Sequence, residues 1–136
     1  MEARKDRVRV LFTRHLMEGH EFGMRMVAMK CRDYGMEVIY LARFYRVEEV
    51  VRAAQEEDVD AIGLTSSSGA HYFLAEELLR LLKEKGMNIP VIMGGVIPSE
   101  DVPRLLGMGI KGVFGPGSTP DEAAKYILEL TSKSRV

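Results

Sequence analysis

Apolar residues in this chain follow two alternating spacings. Runs of strand length at 8–13 (VRVLFT), 37–41 (EVIYL), 60–65 (DAIGLT), 90–93 (PVIM) and 110–114 (IKGVF) are separated by longer stretches of helical period. Val47, Val50, Val51 and Ala54 form one helical stripe, Leu74, Leu78, Leu81 and Leu82 a second, and Ala124, Ile127 and Leu128 a third. Segments 21–34 and 99–107 are less regular. Gly35 and Gly86 supply helix stop signals, and Ser99, followed by acids, reads as an N-cap. Each stripe needs a sheet to cover. The order βαβαβαβαβα therefore predicts an α/β fold: a flavodoxin-like (Rossmann-like), doubly wound, five-stranded parallel sheet with helices on both faces and right-handed crossovers.

At 136 residues the chain fits one domain, and a domain of that size buries roughly 68–70% of its unfolded surface. In open parallel sheets, ligands bind beyond the carboxyl ends of the strands, where the strand order reverses. The loops at that edge read TRHLMEGHEFG, ARFYR, SSSGAH, GGVIPSE and GPGSTPDE. They are crowded with glycines (Gly19, Gly23, Gly69, Gly94, Gly95, Gly115, Gly117) and hydroxyls (Thr65, Ser66, Ser67, Ser68, Ser118). Glycine lets a ligand approach the backbone closely, and hydroxyls donate or accept without adding charge. A wide, neutral, partly polar ligand suits such an edge, although tight βα turns use glycine as well.

Charge narrows the partners. Lys plus Arg is 19 against 20 for Asp plus Glu, so no positive field invites nucleic acid or an anionic membrane. Cys31 is the single cysteine, which excludes an internal disulfide and a multi-cysteine zinc site and fits a reducing compartment, the cytoplasm. The charged start MEARKDRVRV leads to the expectation of neither a secretory signal nor a membrane span. Gln55 and Asn88 are the only side-chain amides, a weak mark of heat adaptation.

Familiar chemistries of this architecture fit poorly. Thr65 stands where a phosphoreceiver would carry an acid, and neither GxGxxG nor a Gly-Lys-Ser/Thr P-loop ending occurs. Ser66 to Ser68 lack a G-x-S-x-G elbow, and Cys31 falls inside a predicted helix and reads as core. Met24, Met26 and Met29 read as core and groove filler, and His71 as polar support. RFYR at 43–46 reads as a loop that can touch a partner.

His20, within MEGHEFG, remains. Neutral imidazole ligates transition metals, and its other ring nitrogen usually donates to a carboxylate. Glu18 lies two residues away, and Arg14, four residues before Glu18, can hold that carboxylate. A bare metal site needs three or four converging ligands. One histidine suits a metal that already carries its others, and a solvated loop histidine remains the alternative.

These residues resemble the cobalamin-binding domain of adenosylcobalamin-dependent acyl-CoA mutases of the methylmalonyl-CoA mutase type. EGHEFG is similar to that family's D-x-H-x-x-G motif, with His20 and Gly23 in register and Glu18 in place of the aspartate. The similarity runs from about residue 8 to 130 and includes EVIYL, EEVVRAAQEEDVDAIGLTSSSGAH and IPVIMGGVIPSEDVPRLLGMGIKGVFGPGSTPDE.

The resemblance implies adenosylcobalamin bound base-off, with His20 as the lower cobalt ligand, backed by Glu18 and Arg14, which stand where the family has aspartate and lysine. Gly19, Glu21 and Gly23 would belong to the cofactor-binding segment with Phe22, which would face the corrin or simply pack. The family's S-x-L segment falls on Thr65, Ser66 and Ser67, beside Gly69. Gly94 and Gly95 match the double glycine next to the nucleotide tail, and Gly115, Gly117 and Ser118 the last loop. On this reading 1–7 is an N-terminal extension, 8–131 the cobalamin-binding domain and 132–136 a C-terminal tail. No catalytic residue is expected on this chain. The rearrangement would need a large (β/α)8-barrel subunit that binds acyl-CoA, which 136 residues cannot contain. Two alternatives stay open: a degenerate cobalamin-domain module for interaction or sensing, and a corrinoid methyl carrier, whose usual N-terminal helical cap the seven residues before the first strand do not supply.

Overall fold

The computed structural model describes residues 7–15, 22–66, 70–115 and 117–135. Five strands, β1 (Arg9–His15), β2 (Glu37–Phe44), β3 (Ala61–Thr65), β4 (Val91–Gly94) and β5 (Gly112–Phe114), pair in parallel in the order β2-β1-β3-β4-β5. Five α-helices connect and follow them: α1 (Phe22–Asp33), α2 (Val47–Glu57), α3 (His71–Glu84), α4 (Val102–Met108) and α5 (Pro120–Arg135). The doubly wound sheet is thus as expected, and its order reverses between β1 and β3.

Alternation along the central strands builds two cores. Val10, Phe12, Ala61 and Ile92 pack with Met24 and Ala28 of α1 and Ala124 and Ile127 of α5. Leu11, Ile62, Leu64, Val91 and Met93 face the opposite way, onto Val50, Val51 and Ala54 of α2, Leu74 and Leu78 of α3, and Leu105 of α4. Successive strand side chains point to opposite faces, so a strand buried on both sides reads as a continuous apolar run. The two helical stripes predicted for α2 and α3 land on the second layer, with Leu81 half-buried beside Leu82.

Several element limits differ from the sequence reading. β2 continues to Phe44 because that ring is buried in the core, while Tyr45 is exposed, so RFYR is half strand rather than loop. β5 begins only at Gly112, and β4 includes Gly94. Ser99 caps nothing with its side chain: it opens a 3-10 turn, Ser99–Asp101, that leads into α4, where Pro103 sits in the first turn. Met29 is exposed rather than core, whereas Met24 is buried.

At the head of α5, Thr119 and Glu122 form a reciprocal capping box, Glu122 N–H donating to Thr119 Oγ1 at 3.1 Å and Thr119 N–H to Glu122 Oε1 at 2.8 Å. Pro120 opens the helix, where its missing N–H costs nothing.

Cys31 is fully buried in the α1/α5 layer, and burial pushes its thiol up to about 12. The thiolate is the reactive form, so Cys31 should resist iodoacetamide in the native protein and react at the free-thiol rate once unfolded in urea. Rapid labelling of the native chain would contradict this burial. No helix among the described residues is long and apolar enough to cross a membrane.

Candidate cofactor cleft

At the carboxyl edge of the sheet, a cleft of about 660 Å³ opens between α1 and α5. That volume lies within the range of small-molecule and cofactor sites. Phe12, Met24, Val27, Ile92 and Ala123 give it apolar surface, and Thr65, Ser118 and Thr119 bring hydroxyls. Gly23, Gly63, Gly94, Gly95, Gly115 and Gly117 bring bare backbone.

The glycines shape the cleft. A Cβ on Gly63 would meet two Phe12 ring carbons at 2.6 Å, so Phe12 can lie across β3 only because nothing projects there. At Gly115 a Cβ would stand 3.0 Å from the Ile97 carbonyl oxygen, and at Gly94 3.3 Å from that of Phe114. Gly95 has φ +116°, and a Cβ there would run into the Ser66 carbonyl. Ser66 N–H also donates to Gly94 O at 3.0 Å, so the segments after β3 and β4 touch backbone to backbone.

Of the residues predicted from sequence, Gly23, Thr65, Gly94, Gly95, Gly115, Gly117 and Ser118 come together around this cleft. Ser66 does not: the residue is 1% exposed and is absent from the lining. Glu18, Gly19, His20, Glu21, Ser67 and Gly69 lie outside the described residues, and Phe22 is the first residue of α1. Arg14 is buried, 6% exposed, at the end of β1 and directly opposite Thr65 in the ladder. His15 packs its ring edge-on against Phe44, centroids 5.3 Å apart. Among the described residues no group of three or more His, Cys, Asp and Glu could hold a metal ion.

Met24 lines the cleft as the groove filler it was read to be, whereas Phe12, Gly63, Val27, Ile92 and Ala123 lie outside the loops and were not expected there. Gly63 carried a signal: a glycine inside an otherwise apolar strand marks a close approach.

Residues 8–125 match the B12 binding domain family. The chain belongs to that family. This B12-binding domain is 37% identical to the pivalyl-CoA mutase small subunit of Xanthobacter autotrophicus, over 94% of the chain and 86% of the relative. It is 38% identical to a methylmalonyl-CoA mutase of Cereibacter sphaeroides over 95% of the chain but only 18% of that longer protein. Its fold superposes with a TM-score of 0.78 on a cobalamin-binding protein from Desulfitobacterium hafniense, at 20% identity, covering 91% of this chain and 59% of the other.

The cleft fits what a B12-binding domain must accommodate. A cofactor tail with a flat apolar end and a polar link needs apolar walls, a hydroxyl-bearing rim and places where backbone is bare. The B12-binding domain has all three in one cleft.

Proposed function

We propose that the chain is the cobalamin-carrying small subunit of an adenosylcobalamin-dependent acyl-CoA mutase, working in the cytoplasm with a large barrel subunit that binds the acyl-CoA. The cobalamin-binding unit spans 8–131, and residues 1–7 and 132–136 flank it. The glycine-lined cleft at the carboxyl edge is the observation that carries this reading, supported by the small-subunit relative.

Phe12, Val27 and Ile92 would give the base of the nucleotide tail its apolar wall, and Thr65, Ser118 and Thr119 would offer hydroxyls to its polar link. Gly94, Gly95, Gly115 and Gly117 let it lie along backbone. His20 would supply the ring nitrogen that ligates cobalt, and Gly19, Glu21, Phe22 and Gly23 would adjoin the cofactor. Glu18 would accept from the other ring nitrogen, and Arg14 would hold that carboxylate. Glutamate is one methylene longer than aspartate, and a guanidinium forks where an ammonium is a point charge. The pair keeps the sign of the relay while changing its reach. When bound, adenosylcobalamin supplies a homolysable cobalt–carbon bond. The chain itself would contribute binding, orientation and a ligating nitrogen, with no catalytic side chain of its own.

Electron paramagnetic resonance of the protein mixed with cob(II)alamin tests the reading. The nitrogen splitting is expected to change when the protein is labelled with 15N-histidine and to lose that response in His20→Ala. A splitting indifferent to the label would refute histidine ligation.

A further inference from the structure

Behind the cleft, on the opposite face of the sheet, lies a polar cluster that the proposed cofactor reading does not use. His71 opens α3 and is 4% exposed, on the same stripe as Leu74, Ala75, Leu78 and Leu82. Its Nε2 lies 2.9 Å from Asp101 Oδ2, and the Tyr72 hydroxyl donates to Asp101 Oδ1 at 2.8 Å. The Arg104 guanidinium stacks over the Tyr72 ring, 4.0 Å from its centroid. The Tyr72 hydroxyl first, and then His71, hold the Asp101 carboxyl below the usual carboxylate range. An ionised carboxylate only accepts, so Nε2 carries the proton. In the neutral ring Nδ1 is then an acceptor.

That Nδ1 is buried and has no hydrogen-bond partner among the described residues, and the same is true of Ser66 Oγ and Thr13 Oγ1. All three belong to one layer. Thr13 follows Leu11 by two residues on β1, and Ser66 follows Leu64 by two at the end of β3; Leu11 and Leu64 both face α2 and α3. Thr13 is paired with Leu64, which places Ser66 two residues farther along, just past the end of β3. A buried polar atom left unsatisfied has lost its hydration and regained nothing for it. Three on one layer at one end of a sheet call for a shared partner, and a water able to donate and accept needs two to four polar groups.

We propose that His71, Ser66 and Thr13 hold one buried water molecule, and that this water, anchored through His71 to Asp101, braces the back wall of the cleft. The water donates to Nδ1 and meets the two hydroxyls. The brace joins the end of β1, the end of β3 and the start of α3 to the 3-10 turn that follows β4. Ser66 is the link to the cleft, because its backbone abuts Gly95 and its N–H donates to Gly94 O. His71 is accordingly a positioning residue for the tail-binding wall and touches no ligand.

The part of this inference that concerns binding rests on the cobalamin reading, and two measurements keep the two apart. A high-resolution crystal structure of the protein without cofactor should show solvent density within hydrogen-bond distance of Nδ1 and Ser66 Oγ; a dry site there would overturn the proposal whatever the cofactor. Titrations with cobalamin and with cobinamide, which lacks the nucleotide tail, then test the brace. Ser66→Ala and Thr13→Val should each weaken cobalamin binding about tenfold and leave cobinamide within about twofold. Equal losses for both corrinoids, or none for cobalamin, would overturn it. A wild-type protein that binds neither corrinoid would sink the cofactor reading and, with it, the claim that the brace serves tail binding, while the solvent density would still decide whether the water is there.

Discussion

Gly95→Ala is expected to destabilise the domain by about 4 kcal/mol, read as a lowered urea midpoint at unchanged slope. Two costs combine. Gly95 has φ +116°, a region that side-chain-bearing residues rarely enter, at a cost of about 1–3 kcal/mol. The added methyl would also collide with the Ser66 carbonyl, which belongs to backbone and cannot rotate away. Relief requires the segments after β3 and β4 to separate, which breaks the Ser66 N–H to Gly94 O bond. Gly107→Ala in α4 is the control. Its Cβ has open space, and alanine should there gain up to about 1 kcal/mol from helix propensity. A loss under about 1 kcal/mol at Gly95 would show that the two segments are not held in this contact.

Gly63→Leu should separate binding from folding in the other direction. A side chain at 63 meets the Phe12 ring at 2.6 Å from its Cβ, but a ring can swing where a carbonyl cannot. Its available direction is the cleft that both residues line. Overpacking of this kind costs about 1–3 kcal/mol of stability, which a stable domain survives. The cleft does not survive it. Cobalamin affinity is expected to fall at least about 100-fold, or about 2.7 kcal/mol, while cobinamide affinity changes little, as measured by absorbance titration of the two corrinoids. Retained cobalamin affinity would place the tail elsewhere.

The architecture was legible because both faces of the sheet are covered. Continuous apolar runs such as DAIGLT mark strands buried on two sides, and the spacing of Val47, Val50, Val51 and Ala54 survives intact as the buried face of α2. Strand ends were less legible. Phe44 extends β2 because its ring packs in the core, a tertiary cause that no local pattern announces. At the cleft, Thr65 and the glycines of the loops were readable from their position at strand ends. Phe12 and Ile92 were not, since a residue that lines a cleft and one that fills a core look alike in sequence. Ser66 illustrates the limit of motif matching: it sits in the expected segment, yet its hydroxyl is buried and the residue takes no part in lining the cleft. Asp101 was read only as one of the acids behind a helix cap, because its partners His71 and Tyr72 lie some thirty residues earlier.

The two cores have different relations to the cleft. Leu11 and Ile62 lie under α2 and α3, away from the cleft wall. On the other face, Phe12, Met24 and Ile92 belong at once to the core and to the cleft wall. A ligand seated there would complete that layer as an interchangeable piece of hydrophobic interior. Folding and loading are then linked by mass action, apparent stability rising with ligand concentration relative to Kd. Substitutions in the α1/α5 layer would trade one quantity against the other, while most of those under α2 and α3 would alter stability alone.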